Sequence, residues 1–128
     1  MSQIDRRVLI QGAALSTLVA VQLQPANAAG DNLVHVIADI LAKPDKADEV
    51  RNMLLPFVDK SRKEPGCKSY ALLEQADKPG HFMTSEVWAD KASIDAHMAT
   101  PDIKELGPKL TPLLAQPFSV TVLKGLSV

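Results

Sequence analysis

From Leu33 onward hydrophobic and polar positions alternate. Val34, Val36, Ala38 and Ile40 fall on one side, and Leu33, His35, Ile37, Asp39 and Leu41 on the other, which is the period of a strand with one wholly apolar face. Lys43-Pro44-Asp45 closes that strand. Asp45 stands where it can cap a helix whose apolar positions Val50, Met53, Leu54, Phe57 and Val58 recur at helical spacing. Pro56 lies inside the run, where it removes a backbone donor and predicts a kink or a loosened turn. Glu64-Pro65-Gly66 stops the helix, and Cys67 to Gln75, with Tyr70, Leu72 and Leu73, reads as a second strand. The stretch Ala76-Asp77-Lys78-Pro79-Gly80 has the composition of a tight reversal, so the run His81 to Ala89 forms a hairpin with the strand before it.

In that third strand Phe82, Thr84, Glu86 and Trp88 share one face, and His81, Met83, Ser85 and Val87 the other. Asp90 caps a second helix that runs to about Thr100 and carries Ile94, His97 and Met98. Pro101 opens a further helical piece with Ile103, Leu106, Leu110, Leu113 and Leu114 at helical spacing, which Gly107, Pro108 and Pro112 are expected to fragment. Pro117 to Leu126, with Phe118, Val120 and Val122 alternating, supplies a last strand. The order β, α, β, β, α, β is that of the split βαβ unit, an α+β fold in which a four-stranded antiparallel sheet carries its helices on one face. Nothing in so short a chain remains to cover the other face, so a second copy is expected there and the chain is read as a homodimer.

Composition changes the picture at the N-terminus. Arg6-Arg7 precedes a moderately apolar run from Val8 to Leu23, followed by Pro25-Ala26-Asn27-Ala28-Ala29, the order of a cleavable signal peptide. The expected organisation is a signal over residues 1–28, cleaved after Ala28, and one domain over residues 29–128, exported to the periplasm or secreted. Arg6-Arg7 with Val8, Leu9 and Ile10 resembles a twin-arginine signal, and an ordinary Sec signal is the alternative. The run is too short and too dotted with polar residues for a membrane anchor. A formal net charge of -1, with both signs interleaved, leaves no basic stripe for nucleic acid. The one cysteine, Cys67, has no partner for an intrachain disulfide and reads as a small buried side chain. The three histidines lack the spacing of a zinc site, and no glycine-rich phosphate loop is present. His35 and Asp39 share a face and read as an interface pair, while His81, beside the hairpin turn, reads as solvated.

Chemistry concentrates in Ser85-Glu86-Val87-Trp88-Ala89-Asp90 and His97-Met98-Ala99-Thr100-Pro101. Strand alternation and the helix after Asp90 bring a carboxylate, an indole and an imidazole together beneath the helices. Such a group can stack a flat aromatic ring on Trp88 and exchange a proton with it through His97 or Glu86. Each residue has a plainer reading: Trp88 as a core indole, His97 as a bridge between helix and strand, Glu86 as one half of a structural ion pair.

From about Val34 to Leu126 the sequence resembles the antibiotic biosynthesis monooxygenase superfamily, and within it the quinol monooxygenase branch. The residues that carry the resemblance are Ile37-Ala38-Asp39 leading to Lys43-Pro44, Glu64-Pro65-Gly66-Cys67 followed by Tyr70, Glu86-Val87-Trp88, and His97 with Thr100-Pro101. The resemblance implies a ferredoxin-like subunit, two of which press their sheets together into a dimeric α/β barrel with one pocket each. It also implies oxidation of a hydroquinone or phenolic ring by molecular oxygen with no flavin, metal or other cofactor. In that scheme His97 is the base, Glu86 orients His97 or the substrate hydroxyl, Trp88 is the stacking wall, and Tyr70 or Thr84 donates a hydrogen bond. Two departures weaken more specialised assignments. Thr84 stands where the polyketide-ring enzymes have Asn, and Ile37-Ala38-Asp39 lacks the strand-one Asn of the haem-degrading relatives. A non-catalytic carrier of small apolar ligands and a haem-binding or haem-degrading protein are the alternative readings.

Overall fold

The computed structural model describes residues 32–127. The expected signal over residues 1–28 lies outside them. Four strands form the sheet: β1 (Val34–Leu41), β2 (Cys67–Glu74), β3 (His81–Trp88) and β4 (Ser119–Lys124). They lie in the order β2-β3-β1-β4, with every neighbouring pair antiparallel. Three helices, α1 (Ala47–Arg62), α2 (Lys91–Met98) and α3 (Pro101–Leu110), and a short 3-10 turn (Thr111–Leu113) complete it. This is the split βαβ arrangement that the hydrophobic pattern predicts.

Alternation along the strands sends one set of side chains under the helices. Ala38 and Ile40 of β1 and Phe82 of β3 pack with Val50 and Leu54 of α1 and Leu110 of α3. Val36, Tyr70 and Trp88 pack with Ile94 of α2 in a second cluster. The opposite sheet face is bare among the described residues, and Ile37 (38% exposed), Leu73 (54%) and Leu123 (40%) stand on it.

Local differences from the sequence reading have physical causes. The first helix begins at Ala47 with Lys46, not Asp45, at its cap and no side-chain cap bond. The turn before it closes instead through the backbone, Lys46 N–H to the Lys43 carbonyl at 2.9 Å. Acidic Asp48 and Glu49 at its start and basic Lys60 and Arg62 at its end complement the helix dipole. The helix continues through Pro56, whose missing donor falls on a side where the surrounding residues are exposed. The second helix stops at Met98, because Thr100 turns to cap the third, its hydroxyl accepting from Ile103 N–H. That third helix runs unbroken through Gly107 and Pro108 to Leu110, and only Pro112 tightens the chain into a 3-10 turn. His81 is not solvated. Its Nε2 lies 2.8 Å from Asp39 and its Nδ1 2.6 Å from Gln75, so Asp39 pairs with His81 across the β1–β3 ladder and not with His35.

The hairpin between β2 and β3 is clamped to α1. Arg51 contacts both carboxylate oxygens of Glu74, at 3.1 and 2.6 Å, and Glu74 in turn accepts from Gly80 N–H at 2.9 Å. Arg51 holds the Glu74 carboxyl below its ordinary range, so the clamp is ionic in neutral solution.

Candidate functional site

Alternation along β3 places Thr84, Glu86 and Trp88 side by side beneath the helices, and all three are buried. They form one hydrogen-bonded chain. The Ala38 backbone N–H donates to Thr84 Oγ1 at 2.9 Å, Thr84 donates to Glu86 Oε2 at 2.6 Å, and Trp88 Nε1 donates to Glu86 Oε1 at 2.9 Å. The direction is fixed, because a hydroxyl that already accepts from an amide turns its own proton to the carboxylate. The cause is visible in the sheet: β1 and β3 pair at Val36↔Glu86 and at Asp39↔Met83, and between them the Ala38 amide turns to the threonine. Glu86 is 5% exposed, and no Lys or Arg lies within ion-pairing distance of it among the described residues. Two donors thus compensate the burial of its oxygens.

His97 arrives from α2. Asp90 caps that helix, its carboxylate accepting from the Ser93 N–H at 2.8 Å and from the Ser93 hydroxyl at 2.7 Å, and both bonds hold the Asp90 carboxyl below its ordinary range. Two turns on, the buried His97 ring lies against Trp88, with centroids 4.7 Å apart and planes at 40°, and within 6.0 Å of Tyr70. Its Nδ1 is 2.8 Å from Glu64 Oε2. Glu64 is 33 residues away in sequence, in the turn between α1 and β2. That turn is held against α2 by Gly66, which has φ +85° and packs so closely on Ser93 that any side chain there would overlap its hydroxyl.

Between the helices and the sheet lies a cavity of about 80 Å³. Since one water needs only about 10–15 Å³ of such space, the cavity has room for a ring-sized group. Leu54, Phe57, Leu106 and Leu110 form its apolar walls, and the half-exposed Phe118 and Val120 stand on the β4 side. Its ionisable lining consists of Glu86, His97 and Tyr70. Burial, reinforced by the nearby Glu86 carboxylate, pushes the Tyr70 phenol well above its ordinary value, so Tyr70 is a hydrogen-bond donor at neutral pH. Burial also pushes the Cys67 thiol up, with Glu64 and Glu86 adding to the effect, which keeps it protonated and unreactive.

Of the residues singled out in the sequence, His97, Glu86, Tyr70 and Thr84 meet at this cavity. Trp88 does not. Its indole is fully buried behind His97 and is absent from the cavity wall, so it packs on the imidazole and not on the space of the cavity. Glu86 does not orient His97 either: both its oxygens are engaged by Thr84 and Trp88, and Glu64 holds the ring. Thr84 has used its proton on Glu86, which leaves Tyr70 as the phenolic donor on the wall. Glu64 was legible only as part of a helix stop. Among the described residues no group of three His, Cys, Asp or Glu side chains is arranged to hold a metal ion, and no helix is long and apolar enough to cross a membrane.

The chain is similar to known proteins over this same region. The profile of the family described as "Antibiotic biosynthesis monooxygenase" matches residues 33–107. A Synechocystis protein named "Uncharacterized protein sll1783" is 36% identical over 94 residues, 73% of this chain, and this chain spans 64% of that relative's length. The Mycobacterium tuberculosis protein named "Putative monooxygenase Rv0793" is 33% identical over 93 residues, 73% of this chain and 91% of its own. Its solved structure superimposes with a TM-score of 0.71, covering 76% of this chain and 98% of that one. A crystal structure described as an antibiotic biosynthesis monooxygenase matches with a TM-score of 0.69 at 33% identity, over 73% of this chain and 99% of the other. With sheet order, helix placement and sequence in agreement over three quarters of its length, the chain belongs to the antibiotic biosynthesis monooxygenase family.

Proposed function

We propose that the chain is an oxidoreductase that oxidises a hydroquinone or phenolic aromatic with molecular oxygen, using no flavin or metal. The observation that carries this reading is His97: an imidazole with Nδ1 tied to Glu64 and no hydrogen bond to its other nitrogen among the described residues, on the wall of a cavity lined mostly by apolar side chains. A neutral hydroquinone reacts sluggishly with oxygen, whereas its anion passes an electron to oxygen readily. The His97 Nε2 lone pair takes the proton of the ring hydroxyl, and Glu64 stabilises the imidazolium that results. The apolar walls exclude water, and the Tyr70 phenol donates to developing charge on oxygen. A hydroquinone and O2 give a hydroxyquinone and water with atoms and electrons balanced, so no outside reductant is needed. The Glu86 carboxyl on the cavity wall, with both oxygens already accepting hydrogen bonds, offers no donor to a substrate carboxylate and so favours substrates without one.

Two copies pack through their bare sheet faces in this proposal, and the residue pattern of positions 1–28 supports export to the periplasm, by the twin-arginine or the Sec route. Mixing the full chain anaerobically with a reduced naphthoquinone and then admitting oxygen tests the activity. Oxygen uptake well above that in buffer and lost in His97→Ala is expected. Uptake equal to buffer, with Tyr70 and His97 perturbed by the quinol, would leave a ligand carrier.

A further inference from the structure

The contact between Glu64 and His97 joins two elements that sequence separates, and three features of the fold serve it. Asp90 fixes the start of α2, Gly66 locks the α1–β2 turn onto Ser93 in that first turn, and the Ala89 N–H donates to the Gly66 carbonyl at 2.7 Å. The turn carrying Glu64 and the helix carrying His97 are thus fastened to each other twice, and the carboxylate meets Nδ1 at 2.8 Å. Trp88 closes the other side of the ring. The ionisable groups that share the cavity wall with His97 are Glu86 and Tyr70 on the sheet, and Cys67, at the start of β2, packs against the cluster that contains Trp88. None of them is hydrogen-bonded to the imidazole among the described residues.

We infer that Glu64 is a positioning residue that holds His97 in the Nδ1–H tautomer and thereby presents the Nε2 lone pair to the cavity. An ionised carboxylate only accepts hydrogen bonds, so its partner nitrogen carries the proton and the lone pair is left at Nε2. Free imidazole side chains favour the opposite tautomer, in which Nε2 carries the proton and cannot act as a base. This role rests on the oxidation reading for its consequence in turnover, but the tautomer itself does not depend on that reading.

The test is long-range 1H–15N NMR on the full chain labelled at histidine nitrogen, in mildly alkaline buffer, with the His97 signals assigned by their loss in His97→Gln. The wild type and Glu64→Gln, which keeps an acceptor, are expected to show a protonated Nδ1 and a bare Nε2. Glu64→Ala is expected to shift to the Nε2–H form. A wild-type His97 in the Nε2–H form, or an unchanged tautomer in Glu64→Ala, overturns the inference. The wild-type spectrum decides even if Glu64→Ala fails to fold. In hydroquinone oxidation Glu64→Ala should lose about tenfold in kcat, less than the roughly 10²–10⁴-fold a general base itself contributes, with little change in KM and partial recovery in Glu64→Gln. A switched tautomer with unchanged kcat overturns the positioning role. Absence of oxidation in the wild type counts against the activity alone and leaves the tautomer result standing.

Discussion

The indole of Trp88 lies against the His97 imidazole, ring centroids 4.7 Å apart, and its N–H is spent on Glu86 at 2.9 Å. One side chain thus braces two of the three ionisable groups of the cavity, His97 and Glu86, from outside its wall. Trp88→Phe keeps most of the volume but leaves Glu86 Oε1 without its donor in a buried place. The expected cost is about 2–4 kcal/mol in a denaturant titration, with a loosened His97 ring as the second effect. Because Trp88 is the chain's one tryptophan, the converse is also measurable. His97→Ala should admit water to the indole and move its emission to longer wavelength, and an unshifted spectrum would contradict the contact between the two rings.

Thr84 relays between the backbone and the same carboxylate. Thr84→Val is close in shape but strands both the Ala38 amide and Glu86 Oε2, so it should destabilise by about 3 kcal/mol, whereas Thr84→Ser, which keeps the hydroxyl, should stay within about 1 kcal/mol of wild type. Equal stability of the two variants in thermal or chemical unfolding would mean that the relay is not a structural unit.

The fold was legible because its strand periods are long: Val36, Ala38 and Ile40 alternate with Ile37 and Asp39, and Phe82, Thr84, Glu86 and Trp88 share one face although two of them are polar. Asp90 and Pro101 announced their helices by type and position, whereas Thr100, read as the end of one helix, caps the next. What the pattern could not carry was partner choice. Strand alternation puts Glu86 and Trp88 together beneath α2, yet whether Trp88 faces a void or a ring depends on how deeply α2 sits, which no spacing encodes. Glu64 escaped notice for the same reason, since a contact across 33 residues leaves no periodic trace. His81 looked solvated beside its turn until the β1–β3 register brought Asp39 across to it.

Tyr70 gives a direct pH test, because it is the chain's single tyrosine. Burial and the Glu86 and Glu64 carboxylates raise its phenol above the ordinary 10.0, so the fold favours the neutral form. The stabilisation is therefore complete below the unfolded value and is lost as pH rises through the folded one. Absorbance of phenolate at long ultraviolet wavelength should show no transition at the ordinary value while circular dichroism remains native, and should appear at higher pH. A reversible transition at the ordinary value in the folded protein would show that the ring is hydrated.

Gly66 should tolerate no side chain. At φ +85° an alanine is strained, and its Cβ overlaps the Ser93 hydroxyl, so Gly66→Ala should cost about 2–4 kcal/mol. Trimming the obstacle cannot rescue it fully, since Ser93 Cβ also stands in the way. Gly66→Ala with Ser93→Gly removes the overlap but keeps the backbone strain and gives up the Ser93 hydroxyl bond to Asp90. The pair should therefore cost less than the sum of the two single variants, and strict additivity would place the cost elsewhere than in the packing of the turn on α2.

The bare sheet face supplies the last prediction. Ile37 stands at its centre, between β3 and β4, with Leu73 and Leu123 exposed toward the two edges. A specific pairing of two such faces has to bury about 1,200–2,000 Å² in total, which a four-stranded sheet can supply. Carboxylate side chains related by a two-fold axis would meet across it, so Ile37→Glu should dissociate the pair by like-charge repulsion and desolvation while leaving each subunit folded, because the residue contributes nothing to the helix-side core. Sedimentation of the wild type at twice the subunit mass, and of Ile37→Glu at the subunit mass with an unchanged circular dichroism spectrum, is the expected result. A wild type that sediments as a monomer at micromolar concentration would sink the pairing and leave that face to some other partner.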